Sequence, residues 1–278
     1  MSKTLRNMVK NSDRIFFYGL HLLSKRKRKA MYAVYSFRRH IGDIALSDDA
    51  KAKKIELLNA WQKELCHIYE GGVPTSKIGR EIFDVCRPFG LPKEDFITEL
   101  KFLREDLTKG THLFSEQEFR QCCDCFSGAM IRQVLRVLGC KKESMIDELS
   151  ACLGLAVGIT MVLCNMKDDA NRGKLYLPDF CLRKAEISSD NPQEVVTDNR
   201  LGVARAELAK IGQENYFRGL ELINNLDEKM ARRMRAFIYV YYRYFEIMEK
   251  RGWEVISPKP ALRSWDKIRL LVKAYMEK

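Results

Sequence analysis

Apolar residues recur every three to four positions along most of this chain, the spacing that puts them on one face of an α-helix. The pattern predicts helices over roughly 14–23, 25–46, 50–70, 76–89, 93–107, 115–139, 143–168, 199–224, 227–250 and 261–276. Turn-forming residues fall mostly between these segments. Ser115-x-x-Glu118 has the pattern of a capping box at one helix start, and Pro92 before Lys93-Glu94-Asp95 marks another. The longest irregular stretch, about 182–198, contains Ser188-Ser189-Asp190-Asn191-Pro192. Apolar helical faces resume on both sides of it, so it reads as a loop. The expectation is an all-α helical bundle in one domain over 1–278.

With 278 residues, 46% of them hydrophobic, the chain can bury a large core. No uninterrupted run of about 18 apolar residues occurs, and the N-terminus has no apolar signal-peptide core. The expected location is cytoplasmic, or peripheral to a membrane. Reduced thiols follow for the nine cysteines. Cys122, Cys123 and Cys125 form a small cluster, but no second pair has zinc spacing, so packing is the better reading and metal or redox use the alternative. The net charge of +12 is uneven: residues 1–54 hold 14 Lys/Arg against four acidic residues. The run Lys25-Arg26-Lys27-Arg28-Lys29 would attract phosphorylated substrates or anionic lipid, or else form a solvated helix start. No nucleic-acid motif accompanies it, so nucleic acid is not an expected partner.

Two helices carry special composition. Gly154, Ala156 and Gly158 interrupt the apolar body of 143–168, which suits close helix packing or a close ligand approach. Phe237, Tyr239, Tyr241, Tyr242, Tyr244 and Phe245 crowd 227–250, as a core stripe or as the wall of an apolar tunnel. The most informative stretch is Met161 to Pro178. An apolar helix there runs into Asp168-Asp169, then the basic turn Arg172-Gly173-Lys174, then Leu175-Tyr176-Leu177-Pro178. Paired carboxylates at a helix end can hold a hard cation, and a cation there can carry a diphosphate.

These residues resemble the squalene/phytoene synthase family over nearly the whole chain. The resemblance rests on Phe16-Phe17-Tyr18-Gly19-Leu20-His21-Leu22-Leu23, on Lys27 to Arg39, and on Gly90-Leu91-Pro92-Lys93-Glu94-Asp95-Phe96. It rests also on Arg172 to Pro178 and on Glu249-Lys250-Arg251-Gly252-Trp253-Glu254-Val255 with the basic helix that follows. It implies an isoprenoid synthase-like bundle around a central cavity and a prenyltransferase of isoprenoid biosynthesis. Such enzymes join two prenyl diphosphates head to head through a cyclopropyl diphosphate. Two aspartate-rich motifs bind Mg²⁺, which neutralises the departing diphosphate.

Matched position by position, this chain keeps part of that pattern. In the first motif, Asp-x-x-x-Asp, Gly42 and Leu46 stand at the two aspartate positions, with Asp43 between them and Asp48 and Asp49 just beyond. The second motif reads Met161, Cys164, Asn165, Asp168 and Asp169 where the family has Asn, Arg, Asp, Glu and Asp. A family tyrosine falls at Gln121 and a phosphate-contacting serine at Ile15. The resemblance implies Asp168, Asp169, Tyr35 and Tyr244 as catalytic residues. It implies Arg39, Arg172 and Lys174 for the diphosphate, and Asp168, Asp169 and Asp43 for Mg²⁺. Two readings follow: a diverged prenyl-diphosphate transferase, or a non-catalytic lipid-binding scaffold like the family's relatives that assemble respiratory complexes. The partner is a prenyl diphosphate or another isoprenoid lipid, with an anionic membrane surface compatible with both.

Overall fold

The computed structural model describes residues 23–109 and 114–276. The expected helix over 14–23, the segment from Phe16 to Leu22, and Ile15 lie outside the described residues. Every regular element among the described residues is a helix; the only strand-like pairing is an isolated bridge between Phe114 and Pro178. The chain groups into two compact units, one of residues up to 108 plus 132–146, the other of 109–131 plus 147–278.

The first unit is built on α1 (Lys25–Leu46), α2 (Lys51–Tyr69), α3 (Lys77–Cys86) and α4 (Lys93–Thr108). Helix α1 packs on α3, and α2 on α4. Ser24 caps α1 by accepting from the Lys27 backbone N–H, satisfying one of the orphan donors of a helix start. The core centres on Phe37, fully buried, which meets Trp61 and Phe96 edge-on at 5.4 and 5.2 Å. Edge-on contact suits the ring quadrupoles, and burying one such side chain contributes roughly 1.5–3 kcal/mol. Two ion pairs lie in this interior: Arg38–Glu99 at 3.1 Å and Arg132–Asp95 at 2.7 Å.

The cationic run at the start of α1 is partly turned onto the protein itself. The Lys27 ammonium donates to the Leu138 carbonyl at 2.5 Å, Lys29 pairs with Asp84 at 2.5 Å, and Arg26 lies over the Phe89 ring.

The second unit is organised by α7 (Glu143–Asn171), whose main part it holds. Before it come α5 (Glu116–Cys123) and a π-helical turn over Asp124–Gly128, both in this unit, and α6 (Ala129–Leu138), most of which belongs to the first. The capping box at Ser115 and Glu118 is present. The periodicity predicts one unbroken helix over 115–139; the π turn interrupts it where α7 crosses. A Cβ on Gly154 would stand 2.6 Å from the Gly128 Cα, and one on Gly158 would stand 2.6 Å from the Cys123 sulfur. The small residues of α7 therefore serve close packing. The cysteine cluster serves it too: Cys123 and Cys125 are buried, and burial pushes the Cys123 thiol far up.

Helix α7 is long and apolar enough by length and composition to cross a membrane, which counting uninterrupted apolar runs did not register. Its apolar window is 78% buried in the protein, as befits a core helix. Two short helices, α8 (Asp179–Lys184) and α9 (Pro192–Thr197), occupy the stretch expected to be irregular. Helices α10 (Leu201–Ile223), α11 (Glu228–Arg251) and α12 (Ser264–Met276) complete the unit. The aromatic stripe of α11 splits by depth. Phe245 is buried against Tyr216, and Tyr239 against Leu270 and Ala274 of α12, whereas Tyr242 and Tyr244 are half-buried.

Candidate active site

In the first unit, α1 places Tyr35, Arg39, Gly42 and Leu46 on one face by helical spacing. Tyr35 is half-buried, while Arg39 and Asp43 are exposed and form an i, i+4 ion pair at 2.9 Å. A Cβ on Gly42 would meet nothing within 4 Å, and Leu46 is 60% exposed. Both positions that lack a carboxylate thus face open space, and packing does not forbid one there. Asp49 accepts a hydrogen bond from the Ser47 hydroxyl beyond the helix end.

The neighbouring residue, Arg38, points the other way, to Glu99. Burial pushes the Glu99 carboxyl up to about 7, although the Arg38 charge pulls it down. One Glu99 oxygen and the Ser36 hydroxyl are buried without a hydrogen-bond partner.

In the second unit the site lies at the C-terminal end of α7. The chain leaves the helix through Gly173, at φ +72, a left-handed conformation that glycine adopts without strain. The Lys174 N–H bonds the Asp169 carbonyl at 2.9 Å and the Gly173 N–H bonds the Ala170 carbonyl at 2.9 Å. These two bonds make a Schellman motif. This is the physical content of the Arg-Gly-Lys sequence: the glycine stops the helix and the two basic residues flank the stop. Leu175 and Leu177 are then buried, Tyr176 packs 5.9 Å from Phe114, and the Lys174 ammonium donates to the Lys109 carbonyl at 3.1 Å.

Each carboxylate on this wall already holds a cation. Asp169 pairs with Arg172 at 2.6 Å and Asp168 with Lys259 at 3.3 Å. The Lys259 ammonium also donates to the Asn165 side-chain oxygen, one turn earlier on α7. The two carboxylates differ in depth: the Asp168 side chain is 53% exposed, that of Asp169 only 16%. Burial raises the Asp169 pKa, opposed by the Arg172 guanidinium. A carboxylate in the last turn of a helix also faces the negative end of the dipole. Arg172 offsets both effects.

Lys259 lies on the segment after α11, and buried groups set that segment's path. Arg205, 1% exposed, donates to the carbonyls of Trp253, Val255 and Leu163, and its guanidinium lies 5.9 Å from the Trp253 ring centroid. Burial lowers its pKa to about 10, so it is still protonated at neutral pH. Arg251 donates to the Pro258 carbonyl at 2.8 Å, next to Lys259 itself. Cys164, where the family motif has arginine, is buried against Met248, its thiol pushed up to about 12.

The structure therefore brings Asp168, Asp169, Arg172 and Lys174 together at one helix end. Tyr244 lies on α11 of the same unit, and Tyr35, Arg39 and Asp43 lie on α1 of the other. Among the described residues no three His, Cys, Asp or Glu side chains gather as a metal site. With Lys259 and Arg172 displaced from them, the donor pair Asp168–Asp169 would fit one Mg²⁺ whose shell is completed by phosphate oxygens and water, because Mg²⁺ is commonly held through one or two carboxylates plus substrate. Sequence reasoning missed Lys259 and Arg205. Periodicity carries no sign of either; the one local hint is a lysine enclosed by Pro258 and Pro260.

The fold agrees with what the chain is similar to. The chain is 27% identical over 258 residues to a presqualene diphosphate synthase of Rhodopseudomonas palustris, covering 93% of this chain and 91% of that protein. It is 26% identical over 276 residues to a phytoene synthase of Mycobacterium tuberculosis, covering 96% and 88%. A crystal structure of a dehydrosqualene synthase in complex with ligand superposes with a TM-score of 0.86 at 20% identity, over 98% of this chain and 94% of that one. The family model for squalene/phytoene synthase matches residues 9–269. With that match spanning nearly the full length, the chain belongs to the squalene/phytoene synthase family.

Proposed function

We propose that this protein is a prenyl-diphosphate transferase that joins two prenyl diphosphates head to head. The observation that carries the reading is the end of α7: two carboxylates, an arginine and a lysine around a helix stop. Relatives named for presqualene diphosphate and phytoene synthesis, aligned over most of both chains, support it.

In the proposed reaction the allylic C–O bond of one substrate breaks and its electron pair leaves with the diphosphate. The double bond of the second substrate attacks the resulting cation, and a proton is lost as the cyclopropane ring closes. The products are one cyclopropyl diphosphate, one free diphosphate and one proton. Departure of the diphosphate needs positive charge placed in advance. Arg172 and Lys174 provide it on the α7 wall and Arg39 on α1; guanidinium groups suit phosphate oxygens because two N–H donors fit them at once. Mg²⁺, when bound, would neutralise the departing diphosphate further; Asp168 and Asp169, once released by Lys259 and Arg172, are the α7 carboxylates proposed to hold it, and Asp43 is the one proposed on α1. The half-buried hydroxyls of Tyr35 and Tyr244 are the groups proposed to meet the reacting carbons and the proton.

The test is incubation of the purified chain with Mg²⁺ and farnesyl or geranylgeranyl diphosphate, with products analysed by mass spectrometry. The expected result is diphosphate release with a product of two prenyl units. Absence of release, together with no Mg²⁺-dependent stabilisation by the substrate in a thermal shift, would favour the non-catalytic scaffold instead.

A further inference from the structure

Lys259 is where this wall departs from a metal-built one. A hard cation on α7 would be held by oxygen atoms on the face that carries Asn165 and Asp168, three residues apart and therefore neighbours on the helix surface. The Lys259 ammonium already sits across those two oxygens. An ammonium is a compact point charge with three donors, so two can serve the protein while the third remains for a ligand. Its position is built in. Arg205 of α10 binds the Trp253 and Val255 carbonyls of the segment that brings it together with the Leu163 carbonyl of α7, and Arg251 at the end of α11 binds the Pro258 carbonyl. Asp169 is served in the same manner by Arg172. Counting Lys167, Arg172, Lys174 and Lys259 against Asp168 and Asp169, this helix end carries a net charge of +2 without any metal, where a bare carboxylate pair would repel a diphosphate.

We propose that the Lys259 ammonium, seated on Asn165 and Asp168, takes the place of a divalent ion on this wall and binds the diphosphate directly. The proposal deepens the prenyl-diphosphate reading and rests on it for the identity of the ligand. Diphosphate binding should then need little divalent metal. Removing the ammonium should both weaken that binding and free Asp168 for a metal ion.

The test uses the full-length protein with inorganic pyrophosphate as probe, by titration calorimetry in EDTA and then in Mg²⁺. Direct Mn²⁺ binding, followed by electron paramagnetic resonance, is the second readout. Wild type is expected to bind pyrophosphate in EDTA within about tenfold of its affinity in Mg²⁺. Lys259→Met should lose at least about tenfold in EDTA and bind Mn²⁺ several-fold more tightly, whereas Lys259→Arg should keep binding in EDTA. Lys101→Met, an exposed lysine on α4, controls for general charge and should change neither readout. Wild-type binding that strictly requires Mg²⁺ would overturn the proposal. So would a Lys259→Met variant with unchanged pyrophosphate and Mn²⁺ affinities, or a Lys101→Met variant with the same losses. Pyrophosphate binding does not depend on turnover. Expected binding without prenyl transfer would therefore count against the transferase reading while leaving the Lys259 proposal standing.

Discussion

The two helices that carry the candidate site residues hold their polar groups in different ways. On α1 the face is open. Gly42 and Leu46 leave open space, and the surviving Asp43 is matched with Arg39 in an exposed pair. On α7 the polar groups are already engaged. Asn165, Asp168 and Asp169 each contact a cation of the protein itself, and the one at Asn165 and Asp168 comes from a segment more than 90 residues away that is tied by the buried Arg205. An open position can be refilled by substitution with little disturbance. An engaged one is wired into the fold, so changing it disturbs stability as well as binding.

The largest effect should come from Arg205. Arg205→Met removes the donors from three backbone carbonyls, at a cost of roughly 1–3 kcal/mol for each buried group left unpaired. The melting temperature should fall by several degrees in calorimetry, and pyrophosphate binding in EDTA should fall with it. A melting temperature equal to wild type would show that Lys259 is not held by this arginine and would weaken the contrast with α1.

Next is Glu99, behind the α1 wall. Its folded-state pKa, about 7, is raised above the ordinary 4.5 by burial. The folded state therefore binds the extra proton, and the slope of stability with pH is negative between the two values. Stability from this group is full below about pH 4.5 and is lost as pH rises through about 7. The loss is on the order of 3 kcal/mol, since the two values lie about 2.5 apart and one pKa unit corresponds to about 1.4 kcal/mol. Urea midpoints measured at pH 5 and pH 8 should show a larger fall for wild type than for Glu99→Gln. Equal falls would mean that Glu99 is already ionised in its pair with Arg38.

Refilling α1 is a smaller perturbation. Gly42→Asp with Leu46→Asp should change stability by less than about 1 kcal/mol, as surface substitutions do, while adding measurable Mn²⁺ binding. Unfolding of this variant would contradict the open wall. The smallest effect is expected for Asp43→Asn. The Arg39 pair is exposed, and such pairs contribute between about 0 and 1 kcal/mol, so the urea midpoint should hardly move.

Much of the fold was legible because helical periodicity is a local property. Helix α1 begins and ends where the apolar spacing predicts, and α2, α4, α10 and α11 lie within two residues of expectation. The π turn at Asp124–Gly128 was not legible, because it answers to Gly154 on another helix. Helices α8 and α9 are single short turns with too few residues to show a period. The candidate site divides likewise. Arg172-Gly173-Lys174 and the aspartates before it can be read in sequence because one helix stop holds them all. Lys259 cannot, because its closeness to Asp168 is a fact of tertiary folding. Glu99 reads as one more polar residue of an amphipathic helix, and only its burial against Arg38 gives it a raised pKa.

In the proposed reaction α7 is the helix that handles the diphosphate. The direct measurement is release of diphosphate from farnesyl diphosphate by the purified full-length chain, comparing wild type with Asp168→Ala/Asp169→Ala and with Asp43→Asn. Release by wild type, a drop of at least about a hundredfold in the α7 variant, and a much smaller drop for Asp43→Asn are the predicted results. Equal release by wild type and the α7 variant would contradict the account.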